Sequence, residues 1–138
     1  MKILLTGTSC GIGQKLARSL ASQGHEVWGL ARTAHDTFRD ECRTLQGSFR
    51  YSICDISIWP QLERLSQTIA QEWQRLDALI HCAGVQGPIG PARTLDPQAW
   101  TSSLAINLNG TFFTLRAMLE LLLKAQRRAK VICFSGGG

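Results

Sequence analysis

The stretch Lys2-Ile3-Leu4-Leu5-Thr6-Gly7-Thr8-Ser9-Cys10-Gly11-Ile12-Gly13-Gln14 decides the fold. Its first part, Lys2–Thr6, is a short apolar run stopped by Gly7, which reads as a buried strand. From residue 13 to residue 23 apolar side chains recur at Leu16, Ala17 and Leu20, a helical spacing, and Gly24 supplies a stop. Three glycines lie between strand and helix. In that order, strand, loop and helix bring the unpaired amides and the positive dipole end of a helix to one spot, and glycines let an anion approach the backbone closely. A glycine triplet alone is weak evidence, because glycine turns are common; the strand before it and the helix after it give it meaning. A triphosphate-binding loop is excluded, since no Gly-Lys-Ser or Gly-Lys-Thr closes it.

The same alternation continues outward. Glu26–Ala31 reads as a second strand, residues 35–45 as a weaker helix and residues 49–54 as a third strand ended by Asp55. Pro60 suits the first turn of a helix, which Leu62, Leu65, Ile69 and Trp73 continue. Residues 76–82 read as a fourth strand and residues 84–91 as a Gly/Pro loop. Pro97 opens a long helical stretch, 97–125, with a bend expected near Gly110, and residues 130–134 read as a fifth strand. Apolar strands alternating with helices predict an α/β fold, a doubly wound parallel sheet of five strands with helices on both faces. Trp28, Trp59, Trp73 and Trp100 are expected as core or interface anchors.

Composition agrees with one domain, 1–138. The chain has 44% hydrophobic and 18% charged residues, which excludes disorder as its default state. Fifteen Lys+Arg against 10 Asp+Glu give a net charge of +5, a mildly basic surface suited to anions. The densest basic cluster, Lys124, Arg127, Arg128 and Lys130, reads as the solvated end of a helix and not as a nucleic-acid motif. No apolar run is long enough for a membrane helix, and the first residues run straight into the glycine loop, so a cytoplasmic protein is expected. The five cysteines, Cys10, Cys42, Cys54, Cys82 and Cys133, lack zinc spacing and read as reduced thiols, so no metal is expected. Cys10 admits two readings: a thiol whose thiolate is favoured at a helix N-terminus, or a small residue fitting a tight loop.

The spacing Thr6-Gly7-x-x-x-Gly11-x-Gly13 resembles the N-terminal part of a short-chain dehydrogenase/reductase, and three further motifs are similar to that family in order and position. Asp55-Ile56-Ser57 resembles the family's Asp-[Val/Ile]-[Ser/Thr]. Cys82-Ala83-Gly84, after His81, resembles Asn-Asn-Ala-Gly, departing at its first two residues. Ile106-Asn107-Leu108-Asn109-Gly110 resembles Val-Asn-[Leu/Val]-x-Gly. The resemblance covers the whole chain and implies a Rossmann-like, NAD(P)-binding fold and hydride transfer between a nicotinamide and a small carbonyl or alcohol. It implies that Gly7, Ser9, Cys10, Gly11, Ile12 and Gly13 hold the cofactor phosphates. It implies that Asp55 and Ile56 meet the adenine, that Cys82, Ala83 and Gly84 pass the adenosine ribose, and that Asn107 is catalytic. Taken singly, Asp55 also reads as a residue of a helix N-cap region, Asn107 as a side chain satisfying a bent helix, and His81 as a hydrogen-bonded residue at a strand end.

The choice between NAD and NADP falls at the end of the second strand, about 20 residues past the glycines. A carboxylate there accepts the ribose hydroxyls of NAD and repels a 2′-phosphate. Here Ala31 holds that position and Arg32 follows, able to pair a 2′-phosphate and stack on adenine, with Thr33 adding a hydroxyl. NADP is therefore expected over NAD; the other reading of Arg32 is a solvent-facing loop residue. Ala31-Arg32 also argues against a methyltransferase on a similar sheet, which would want an acid there.

Hydride transfer to a carbonyl needs a proton donor, which the family supplies from Tyr-x-x-x-Lys with a serine. The single tyrosine, Tyr51, does not match that motif. Phe134-Ser135-Gly136 aligns with the family's Ile-Ser-Ser, so Ser135 is the candidate serine, although the second position is Gly136. The chain stops in three glycines after a strand, which reads as the cofactor-binding portion of a longer reductase, inactive by itself. The alternative is a non-catalytic NADP(H)-binding module or sensor. By resemblance, the helix 97–125 is the expected surface for a homo-oligomer.

Overall fold

The computed structural model describes residues 1–33 and 36–135. His35, where the second helix is expected to begin, and Gly136 lie outside the described residues.

Five strands form one parallel sheet: β1 (Lys2–Thr6), β2 (Glu26–Ala31), β3 (Ser48–Ile53), β4 (Ala78–His81) and β5 (Lys130–Cys133), in the order β3-β2-β1-β4-β5. The helices between them are α1 (Gly11–Ser22), α2 (Asp36–Cys42), α3 (Trp59–Trp73), α4 (Pro97–Leu104) and α5 (Gly110–Leu123). The expected doubly wound α/β sheet is the one observed.

Strand pleating sorts the core into two layers. Ile3 and Leu5 point to one face, with Val27 and Ile80, and meet Ala17, Ala21, Phe38 and Cys42 from α1 and α2. Leu4, Trp28, Leu30 and Leu79 point to the other and meet Leu62, Leu65, Ile69, Trp73, Met118, Leu121 and Leu122 from α3 and α5. Trp28 and Trp73 pack edge to face, with ring centroids 5.3 Å apart. Burial of these side chains at about 25 cal/mol per Å² is the main driving force for the sheet.

Several boundaries differ from the sequence reading. Helix α1 starts two residues earlier, at Gly11, because its first turn is built from the glycine loop itself. Helix α2 and strand β4 are shorter than expected. The stretch expected as one bent helix is two, α4 and α5, joined by a π-helical turn over Ala105–Asn109. The irregularity therefore lies just before Gly110, as a π turn with helical backbone on both sides. Trp100 is 51% exposed and is no core anchor. The basic cluster is not one helix end either, since α5 stops at Leu123 and Lys130 opens β5. Among the described residues no helix is long and apolar enough to cross a membrane.

Candidate functional site

In an open parallel sheet, ligands bind beyond the carboxyl ends of the strands, where the winding reverses. Here the chain leaves β1 for β2 and β3 on one side and returns to β4 and β5 on the other, so the reversal lies between β1 and β4. A cleft of about 90 Å³ opens there, lined by Gly7, Ser9, Leu30, Ala31, Arg32, Cys54, Ile56, Ala83, Gly84, Val85 and Ile106. A larger cavity of about 510 Å³ lies at the amino ends of the strands, lined by Met1, Arg75, Asp77, Arg127, Arg128 and Lys130 among others. Its walls are long surface side chains rather than shaped backbone, so the smaller cleft is the better candidate.

Each glycine of the loop has its own reason. Gly7 has φ +73°, and a Cβ there would lie 2.7 Å from the Ala83 nitrogen, so the return past β4 admits no side chain. Gly11 has φ +58°, and a Cβ there would meet nothing within 4 Å, so it borders open space. A Cβ on Gly13 would sit 2.2 Å from the Gly7 oxygen, because α1 packs directly on the loop. The loop is pinned to the end of β2. The Leu30 carbonyl accepts from Gly7 N (2.8 Å), Thr8 N (3.1 Å) and Thr8 Oγ1 (3.3 Å).

Cys10 occupies the N-cap of α1, and its side chain makes no capping bond. No acid lies in the first turn, and among the described residues no acceptor takes the amides of Gly11, Ile12 and Gly13. The positive end of the helix is thus open beside the glycines. Arg32 lines the cleft from the end of β2, together with Gly7 and Ser9 of the loop before α1, with Ala31 buried just before it. Thr33 is exposed, and its carbonyl accepts from the Tyr51 hydroxyl, which ties the Arg32 loop to β3. Orphan amides, a cradle free of side chains and a nearby guanidinium fit the phosphates of a dinucleotide.

The other expected residues fall around this cleft in different ways. Ile56, Ala83 and Gly84 line it, whereas Cys10, Gly11, Ile12, Gly13, Thr33, Asp55 and Cys82 do not. Asp55 caps its own loop, Oδ1 accepting from Ser57 N (2.9 Å) and Ser57 Oγ (2.7 Å), with Gln61 Oε1 accepting from Asp55 N (2.8 Å). Asn107 lies on the π-turn. Its Oδ1 accepts from Val85 N (2.9 Å) and its Nδ2 donates to Val85 O (2.8 Å), so the side chain clamps the loop after β4. Ser135 is exposed just beyond β5. Burial pushes the Cys54 and Cys82 thiols up to about 11, which makes both inert at neutral pH. Among the described residues no three His, Cys, Asp or Glu side chains gather as a metal site.

Leu30, Val85 and Ile106 line the cleft without having been expected there. Each is apolar and reads in sequence as core or loop filler; Leu30 stands one residue before the end of β2 and Ile106 one before Asn107, whereas Val85, four residues past β4, carries no such local signal. Thr6, His81 and Thr111 were also missed as a group. Thr6 Oγ1 accepts from Ala83 N (3.0 Å) and lies 3.2 Å from His81 Nδ1, while His81 Nε2 lies 3.0 Å from Thr111 Oγ1. His81 is thus a hydrogen-bonded residue at a strand end, the reading its position suggested.

Comparison with known proteins matches the model of the short chain dehydrogenase family over residues 1–137. An uncharacterized oxidoreductase of Escherichia coli, YciK, is 32% identical over 99% of this chain and 56% of its own length. D-threitol dehydrogenase of Mycolicibacterium smegmatis is 32% identical over 88% of this chain and 47% of its own. A short chain dehydrogenase of Shigella flexneri, solved in complex with NADP, superposes with a TM-score of 0.89 at 30% identity, covering 96% of this chain and 57% of that one. The chain spans about half the length of the relatives it matches.

Proposed function

Since the chain belongs to the short-chain dehydrogenase family, we propose that its cleft binds NADP(H) and serves hydride transfer with a small carbonyl or alcohol. The observation that carries the choice of NADP is Arg32, which lines the cleft at the end of β2 where no carboxylate precedes it. In this reading the amides of Gly11, Ile12 and Gly13 hold the pyrophosphate, and Arg32 with Thr33 takes the 2′-phosphate. Asp55 has Oδ2 outside its own loop bonds, which suits the adenine amino group. Ala83 and Gly84 form the wall that the ribose passes. The bound nicotinamide supplies or accepts the hydride. Asn107 holds the Val85 loop, which lines the cleft, and Ser135 stands just past the carboxyl end of β5.

The proton donor is proposed to come from outside these 138 residues, because the one tyrosine, Tyr51, gives its hydroxyl to the Thr33 carbonyl. The chain alone is expected to bind NADPH without oxidising it in the presence of carbonyl compounds; turnover would favour a different donor. A homo-oligomer through 97–125 is supported by a stripe of exposed side chains, Leu104, Leu108, Phe112, Leu119 and Leu123, and sedimentation as a monomer would count against it.

The test of the cofactor is a fluorescence titration with NADPH and NADH on the wild type and Arg32→Glu. The wild type should bind NADPH about ten- to a hundredfold more tightly, the worth of charge-assisted hydrogen bonds, and Arg32→Glu should cancel or reverse that preference. Equal binding of the two would end the 2′-phosphate assignment. No binding of either would end the dinucleotide reading itself.

A further inference from the structure

A fully buried hydroxyl has one proton to give, and where it goes fixes the proton positions of its neighbours. Thr6 is fully buried, and its oxygen already accepts from Ala83 N. Its own proton therefore goes to His81 Nδ1, its remaining partner, which must be bare. The neutral ring then carries its proton on Nε2 and donates to Thr111 Oγ1, and the Thr111 proton goes to the Asn107 carbonyl at 2.6 Å. Every donor meets one acceptor along the line from the Ala83 amide to the π-turn.

The other protonation states fail this count. With the proton on Nδ1, the Thr6 hydroxyl is orphaned, and Thr111 would have to serve both Nε2 and the Asn107 carbonyl with one proton. With both nitrogens protonated, Thr6 is orphaned again and an unpaired charge is buried.

The line closes on itself. The Asn107 side chain returns to Val85 through two hydrogen bonds, so the circuit from Ala83 through Thr6, His81, Thr111 and Asn107 ends at Val85 and encloses Gly84. We infer that His81, as the neutral Nε2–H tautomer, is a positioning residue that holds the Ala83-Gly84-Val85 wall and the Asn107 turn as one piece, and that protonating it unlocks them.

The surroundings of the ring agree. Thr6 faces it from β1 and Thr111 from α5, and Cys133 is its ladder partner on β5. The titratable neighbours are thiols, Cys133 and the adjacent Cys82, and no carboxylate, ammonium or guanidinium among the described residues bonds to the ring. Burial holds the imidazole below its ordinary value of 6.5, against the opposing pull of the Ala83 backbone. The unfolded chain therefore takes the proton first. The stabilisation is present in full above pH 6.5 and is lost as pH falls from there through the lower folded value.

The test needs no cofactor, so its failure is separate from that of the NADP assignment. Nitrogen-15 spectra of the histidine rings in the full chain should show, for His81 at neutral pH, a protonated Nε2 and a bare Nδ1. A protonated Nδ1, or a charged ring at neutral pH, overturns the inference. Hydrogen exchange at the Val85 amide reads the lock. Thr111→Val should speed it about three- to tenfold, the usual worth of one hydrogen bond, with the Leu5 amide of β1 unchanged. His81→Gln, which keeps a donor toward Thr111, should stay near the wild type and lose the acid dependence that the wild type shows. Unchanged Val85 exchange in Thr111→Val, or Leu5 accelerating in step with Val85, overturns it as well.

Discussion

Helices α1 and α4 begin in opposite ways. At α4 the Asp96 carboxylate accepts from Gln98 N (2.9 Å) and Ala99 N (3.2 Å), and Pro97 removes a third donor, so the end is closed by its own sequence. At α1 Cys10 caps nothing, the first turn holds no acid, and the amides open beside the glycines. An uncapped end alone is not a site, since α3 also starts without a side-chain cap, at Ile58. What distinguishes α1 is the loop in front of it, where Gly11 borders open space. An end left open forgoes roughly 1 kcal/mol of capping. At α1 that loss is offset by packing, with Gly13 against the Gly7 backbone and Ala17 and Ala21 in the core.

The comparison breaks most severely at Gly13. Gly13→Ala puts a methyl group on the Gly7 carbonyl and should lower stability by about 3 kcal/mol in urea unfolding, with NADPH binding lost. A variant as stable as the wild type would mean that α1 is not held by that contact. Next in size is Cys10→Asp, which gives α1 the cap that α4 has. Stability should rise by about 1 kcal/mol while NADPH affinity falls about tenfold, because the carboxylate takes the amides and repels phosphate. Undiminished affinity would show that the amides are not the anion site. The smallest effect sharpens the other side of the comparison. Asp96→Ala should cost about 1 kcal/mol and leave NADPH affinity within about twofold of the wild type. A larger change in affinity would tie α4 to the site in a way its capping does not predict.

The open end of α1 was legible in the sequence, because a strand, three glycines and a helical spacing are local signals. The five strands were legible for the same reason: Ile3, Leu4 and Leu5 alternate between two buried faces, so the whole run is apolar. The closed end of α4 was not read, although Asp96 stands directly before Pro97. The π-turn escaped because one extra residue barely disturbs an apolar pattern recurring every three or four positions. The line through His81 was beyond local reading altogether. Thr6 and His81 are 75 residues apart, and His81 and Thr111 are 30 apart, so only the folded sheet brings them together. The apolar cleft residues Leu30 and Ile106 were hidden differently, since a side chain facing a ligand and one facing the core look alike in sequence.

The strand order also carries a timetable. Strand β1 lies in the middle of the sheet, and its partner on one side, β2, ends at Ala31. Its partner on the other side, β4, is complete only at His81, and at ribosomal speed the interval is on the order of 3–10 s. For that time the sheet's central strand is a bare edge, and the nascent chain carries the glycine loop with no wall facing it. The β1–β4 seam, where the cleft lies, thus closes well after the β1–β2 seam, and a translational pause between Ala31 and Ala78 would prolong the period in which β1 can pair with the wrong strand.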